Sequence, residues 1–143
     1  MSGHVDDLRR ASVGDTLAPV EFGPITRRTL ALYAGASGDH NPIHIDTDFA
    51  RSAGLNDVFA HGMLSFGVLS RVVTQWAGIE RLRSFDVRFV SVTHVHDLVT
   101  CSATVVEQVE TDGRPCLRLA VAAAAQDGRV TLSGEAIVEL PPN

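Results

Sequence analysis

The spacing of apolar positions changes near the middle of the chain. From Gly62 to about Ala77, Met63, Leu64, Phe66, Val68, Leu69, Val72, Val73 and Trp76 place apolar groups around most of a helical circumference. That pattern predicts an enclosed helix rather than one laid on a surface. Ser65, Ser70, Arg71, Thr74 and Gln75 interrupt it, and a polar side chain on a buried helix needs a partner, which singles out Ser70. From Arg81 onward the period drops to two, with Phe85, Val87 and Phe89 alternating with Asp86 and Arg88. Three more strand-like runs follow at Leu98–Val109, Cys116–Ala125 and Val130–Leu140, separated by Asp112-Gly113 and Asp127-Gly128. Asp-Gly between apolar runs signals a hairpin, so the second half reads as four consecutive strands in an antiparallel meander.

The first half is less regular. Residues 1–12 are polar without a period and read as a loose arm. Val13–Phe22 reads as a short strand, and Pro19 within it suits a sheet edge. Thr26 has the position of a helix N-cap, with Ile25 and Leu30 as a hydrophobic staple, for a helix from Arg27 to about Ala36 that Gly35 and Gly38 weaken or end. Asp46 or Thr47 caps a short helix through Ala53, and Gly54 stops it. A sheet curled around one long apolar helix satisfies both halves, so residues 1–143 form one α+β domain. The sheet edges left by such a curl favour a dimer with a continuous sheet.

Charge narrows the functional classes. The net charge is −5 and no block of like charge occurs, which argues against a nucleic-acid groove or a membrane surface. All twelve basic residues are arginine, so Schiff-base chemistry and a phosphate loop built on lysine are excluded. No charged-then-apolar leader opens the sequence and no apolar run reaches the ~20 residues of a membrane span, which predicts a cytoplasmic protein. If Asp112-Gly113 is a two-residue turn, Cys116 lies opposite Val109 and Cys101 opposite Ala124, too far apart to bridge. Two buried free thiols follow.

Between the two main helices, Ser37-Gly38-Asp39-His40-Asn41-Pro42-Ile43-His44 brings a carboxylate and an imidazole within five residues. Pro42 keeps Asn41 out of helical geometry, so Asp39 and His44 are held on a shaped loop. Such a pair can grip one water or hydroxyl, one group taking a proton while the other gives one. An apolar wall from Ile43, Ile45 and the buried helix would raise the carboxyl pKa toward neutral pH. On the residues alone two other readings stay open: Asp39 as a turn cap and His44 as a satisfied core histidine. His40, His44 and His61 do not make a metal site by pattern, because no CxxC or HExxH spacing accompanies them.

The wider pattern adds to this. Tyr33, Ser37-Gly38-Asp39, Asn41-Pro42-Ile43-His44, Ala53-Gly54 and Ala60-His61-Gly62-Met63-Leu64 together resemble the MaoC-like dehydratases, the group that includes R-specific enoyl-CoA hydratases. The resemblance extends to the catalytic subunit of the mycobacterial (3R)-hydroxyacyl-ACP dehydratases, and from Val13-Gly14-Asp15 through Val87-Arg88-Phe89 into the later strands. It implies a hotdog fold and reversible addition of water across the 2,3 double bond of an acyl thioester carried by coenzyme A or acyl carrier protein, with no metal or redox cofactor. It implies Asp39 and His44 as the catalytic pair, the Gly62 N–H as donor to the thioester oxygen, and Asn41 as setting the loop and substrate. Ser70 matches a serine that bonds the catalytic aspartate in some relatives; a bond to a carbonyl one turn back is the other reading. The resemblance also implies Tyr33 as a supporting residue. A homodimer, or a heterodimer with a second hotdog subunit needed for activity, is implied, and an acyl-thioesterase on the same fold remains the competing activity. The sequence departs from many relatives at Val92–Asp97, where His94 and His96 read as exposed loop residues; Arg71, Arg81, Arg83 and Arg88 are candidates for phosphate contacts.

Overall fold

The computed structural model describes residues 4–143. Helix α1 spans Arg27–Ser37, α2 Thr47–Ser52 and α3 Gly62–Ala77; strands β1 to β5 are Val20–Phe22, Leu82–Phe89, Val99–Thr111, Arg114–Ala125 and Val130–Glu139. All five strands form one antiparallel sheet in the order β1-β3-β4-β5-β2, with α3 across one face. Among the described residues no helix is long and apolar enough to cross a membrane.

The local signals act as their chemistry dictates. Thr26 holds extended backbone and its hydroxyl accepts from the Thr29 N–H, while Gly38 closes α1 in the left-handed region at φ +80. Asp46 caps α2 through the Phe49 N–H. Asp112 and Gly113 both take positive φ, the geometry of a type I′ turn, and pair Thr111 with Arg114. Val109 faces Cys116 as the turn requires, but Cys101 faces Ala123 rather than Ala124. A bulge at Val106 in β3 absorbs one residue and shifts the register beyond it. Both cysteines are free and buried, and burial alone pushes the Cys101 thiol up to about 11.

Four further expectations are corrected. The four later strands are not a simple meander: β3, β4 and β5 are, but β2 pairs with β5. One side of β3 is taken by β1 and the other by β4 through the two-residue turn, so the free edge of β5 is the position left for β2. Residues 90–98 therefore cross the sheet end. The strand foreseen over Val13–Phe22 is regular only at Val20–Phe22, with a single bridge from Thr16 to Thr104. The arm is not loose from residue 4 on, because Leu8 packs in the main core and the Val5 N–H donates to the Thr16 carbonyl. Finally, α3 is covered on one face only in the single chain: Leu69, Val72, Val73 and Ala77 are buried, whereas Met63 is more than half exposed.

The main core joins that helix face to Val99, Cys101, Ala103, Val105, Leu119, Val121, Leu132 and Val138 of the sheet. A second, smaller cluster of Ile25, Leu30, Ala50, Val58, Ala60 and Val95 sits beneath the polar loop. Burying each of its large side chains contributes roughly 2 kcal/mol, which anchors the loop between α1 and α2. Behind it, Asp97 is buried and bound by Arg129 at 2.7 Å, the Gln126 amide at 3.3 Å and the His94 N–H at 2.8 Å. Although burial opposes the charge, these donors hold the Asp97 carboxyl below its ordinary range. The segment so braced passes the Thr93 carbonyl to the Ala60 N–H at 2.8 Å and fixes the chain entering α3.

Candidate active site

Gly38 turns the chain out of α1 and sets Asp39 at the head of a hydrogen-bonded loop. The Asp39 N–H donates to Ser37 Oγ at 3.1 Å, and Asp39 Oδ1 accepts from the Asn41 N–H at 3.2 Å. Asn41 in turn accepts from the Ile43 N–H at 3.1 Å and caps the 3-10 turn Pro42–His44, in which Pro42 takes the first position where no N–H is needed. The turn-cap reading of Asp39 is thus satisfied by one oxygen. Its other oxygen, Oδ2, lies 3.9 Å from His44 Nε2.

His44 is buried, and its Nδ1 lies 2.7 Å from the Phe59 carbonyl. A carbonyl only accepts, so Nδ1 carries a hydrogen and Nε2 is the nitrogen that faces Asp39. Phe59 also sets its ring edge-on against the imidazole, with centroids 5.0 Å apart. One carboxylate oxygen and one imidazole nitrogen are thereby left free and close enough to share a small ligand.

His61 joins them. It is 2% exposed, its ring stacks on His44 with centroids 3.9 Å apart and planes at 28°, and its Nε2 donates to the main-chain carbonyl of Asp39 at 3.1 Å. Tyr33 packs edge-on against it at 4.7 Å. Asp39, His44 and His61 each offer a donor atom within 4.8 Å of the others. Near-parallel stacked rings point their in-plane lone pairs side by side rather than at one centre, and each ring has one nitrogen committed to a carbonyl. Of the three, Asp39 Oδ2 and His44 Nε2 are the pair placed to exchange a proton.

Gly62 opens α3. His61 is the N-cap residue but gives no side-chain cap; the Leu64 N–H turns back to the His61 carbonyl at 3.1 Å, and the N–H groups of Gly62 and Met63 are left without a partner. Phe89 lies so close to Gly62 that an added Cβ would stand 2.6 Å from its ring, which explains glycine there. A cavity of about 490 Å³ spreads from this point, walled by Asp39, Phe59, His61, Gly62, Met63, Ser65, Phe89 to Thr93, Thr131 and Leu132. Asp39 and the start of α3 thus line one end of a largely apolar cavity, and His44 adjoins it through Asp39 and His61.

Of the sequence-predicted residues, Asp39, His44, Asn41, Gly62 and Tyr33 are brought together here. Ser70 is not: its hydroxyl donates to the Gly67 carbonyl at 2.8 Å, the bond one turn back. Ser65 instead lines the cavity, buried and with Oγ unpaired. Arg83 is spent on Glu139, whose carboxyl it holds below the usual range, while His94 and His96 are exposed as expected. The residue pattern alone offers His61 only as a metal ligand. The signal for it was its place between Ala60 and Gly62 in the quoted motif.

Burial holds the His61 pKa below its ordinary value of 6.5, with the neighbouring His44 adding to the effect and the Asp39 carbonyl opposing it. A histidine whose pKa is lowered on folding costs nothing above about pH 6.5; below it the unfolded chain gains the proton first. The protein is therefore expected to lose thermal stability as the pH falls from about 6.5, and His61→Gln to lose less over the same interval. Melting curves at paired pH values check this.

The family model described as MaoC like domain matches residues 10–125. An (R)-specific enoyl-CoA hydratase of Rhodospirillum rubrum is 32% identical over 119 residues, covering 82% of this chain and 81% of that protein. Fatty acid synthase subunit beta of Aspergillus oryzae is 38% identical over 113 residues, 76% of this chain but 5% of that protein, so this chain spans a small fraction of that relative's length. Among solved structures, the unliganded R-hydratase PhaJ1 of Pseudomonas aeruginosa superposes with a TM-score of 0.81 at 26% identity, covering 96% of this chain and 87% of that one. With the family model covering most of the sequence, a relative above 30% identity over the same span and a sheet-on-helix architecture shared with R-hydratases, this chain belongs to the MaoC-like dehydratase family and has its hotdog fold.

Proposed function

We propose that the protein catalyses reversible hydration of trans-2-enoyl thioesters to (R)-3-hydroxyacyl thioesters, on coenzyme A or acyl carrier protein. The observation that carries this reading is the facing of Asp39 Oδ2 and His44 Nε2 at 3.9 Å, with the unpaired N–H groups of Gly62 and Met63 at the start of α3 in the same cavity wall as Asp39. The thioester oxygen accepts from the Gly62 N–H, where the helix N-terminus favours the negative charge that gathers as Cα becomes enolate-like. In the dehydration direction His44 takes the Cα proton and Asp39 gives a proton to the departing C3 hydroxyl, which leaves as water. In the hydration direction Asp39 takes a proton from the attacking water as its oxygen bonds to C3, and the imidazolium of His44 returns one to Cα. The pair holds one proton throughout and only moves it between partners. Both groups work from one side of the double bond, which makes the addition syn. The reaction consists of two proton transfers and the making or breaking of one C3–O bond, with no net oxidation or reduction, so the proposal calls on no metal or redox cofactor.

The same reading includes pairing with a second hotdog chain, a copy of this one. Met63, Phe89, Val90 and Val92 stand exposed at the cavity rim, an apolar margin that a second chain would cover. One solved neighbour is the ChsH1-ChsH2 complex of Mycobacterium tuberculosis, at 24% identity.

The test is incubation with a short trans-2-enoyl-CoA. Loss of the enoyl-thioester absorbance with formation of the (R)-3-hydroxyacyl product is the expected result. Release of free thiol without hydrated product would replace the proposal with thioester hydrolysis, formation of the (S)-product would overturn the face of attack at C3, and anti placement of deuterium at C2 after reaction in D₂O would overturn the syn geometry.

A further inference from the structure

His61 stands where its side chain gives the helix no usual benefit. An N-cap position favours Ser, Thr, Asp or Asn, whose oxygen bonds the second or third amide of the helix. Here the imidazole turns away from α3 and makes no cap bond, so the amides meant for the substrate oxygen are left open. Its Nδ1 is buried without any partner, a condition that costs stability. A Leu or Met at this place would fill the space without that cost, so packing alone does not account for a histidine.

What the ring does do is touch both halves of the catalytic pair. Its face lies on the His44 imidazole at 3.9 Å, and its Nε2–H holds the main-chain carbonyl of Asp39 at 3.1 Å. We infer that His61 is a positioning residue that fixes the distance between His44 and Asp39, by its face on one and its N–H on the other. The inference rests on the acid–base reading of that pair. Because Nε2 already carries the hydrogen and Nδ1 sits where charge is penalised, His61 stays out of the proton exchange it organises. An imidazole face beneath His44 also suits the moment when His44 is cationic, since an aromatic face attracts a cation. The other groups facing His44 are the Asp39 carboxylate, the Phe59 carbonyl and the Phe59 ring; Tyr33 reaches only the far side of His61.

Two substitutions separate the two contacts. His61→Gln keeps an N–H donor at similar reach and removes the aromatic face; His61→Phe keeps the face and removes the donor. Each is expected to lower kcat about tenfold, the order of one such contact, and His61→Ala about a hundredfold, with KM within about threefold throughout. Loss of stability with kcat unchanged in the folded protein would reduce His61 to a structural residue and overturn the inference. A second readout does not depend on turnover. Stacking at this distance displaces the NMR signals of the His44 ring protons, and the displacement should persist in His61→Phe and vanish in His61→Gln. Identical His44 signals in both variants would also overturn it, whereas absence of hydration by the unmodified protein would instead count against the proposed reaction.

Discussion

Replacing His44 by alanine should lower the hydration rate about a thousandfold or more, while the protein still folds. The magnitude is that of losing a positioned general acid–base group. No other imidazole can substitute, since the neighbouring His61 has its Nε2 committed to the Asp39 carbonyl and its Nδ1 buried. The substitution leaves the Phe59 carbonyl without its donor in a partly buried place, which should cost roughly 1–2 kcal/mol. Both effects are measurable together, by steady-state rates and by urea unfolding. Turnover within tenfold of the unmodified protein would remove His44 from the chemistry.

Asp39→Asn should cost about two to three orders of magnitude in kcat with almost no change in stability. The asymmetry follows from the two carboxylate oxygens having separate duties. Oδ1 accepts from the Asn41 N–H and shapes the loop; an asparagine carbonyl oxygen does the same. Oδ2 faces His44, and the amide NH₂ that would replace it neither takes a proton from water nor gives one to a leaving hydroxyl. A melting temperature that falls sharply would show instead that the carboxylate serves the loop more than the reaction. Rate and melting temperature read on the same preparation separate the two.

The parts of the site legible in the sequence were those set by short-range rules. Thr26, Gly38, Asp46 and the Asn41-Pro42 turn each determine local backbone through one side-chain bond or one permitted φ, and they lie where the motif spacing placed them. Ser70 and Ser65 show the limit of the same reasoning. Five residues apart on a helix, they differ by roughly 140° in direction, and only the sheet decides which direction is inward. Ser65 shares the buried side with Leu69 and Val72, whereas Ser70 lies nearer the exposed side of Gly67 and Arg71. Strand order was equally out of reach, because the place of β2 depends on which edges β1 and β4 have already occupied. The bulge at Val106 has no glycine or proline to announce it. His61 belonged to a recognised motif, yet its task depends on two contacts with residues of the earlier loop.

The cavity wall has two origins along the chain. Asp39, Phe59, His61, Gly62 and Ser65 come from one stretch between α1 and the first turn of α3, while Phe89 to Thr93, Thr131 and Leu132 come from the sheet and its crossing loop. Reactivity and substrate fit are thus written in different parts of the gene. Apart from Phe89, which lies against Gly62, and Thr93, whose carbonyl holds the Ala60 N–H, wall positions from the sheet can change the space with little effect on the proton-handling stretch, so on the proposed reaction the range of acyl groups accepted has room to drift in evolution while the chemistry stays the same.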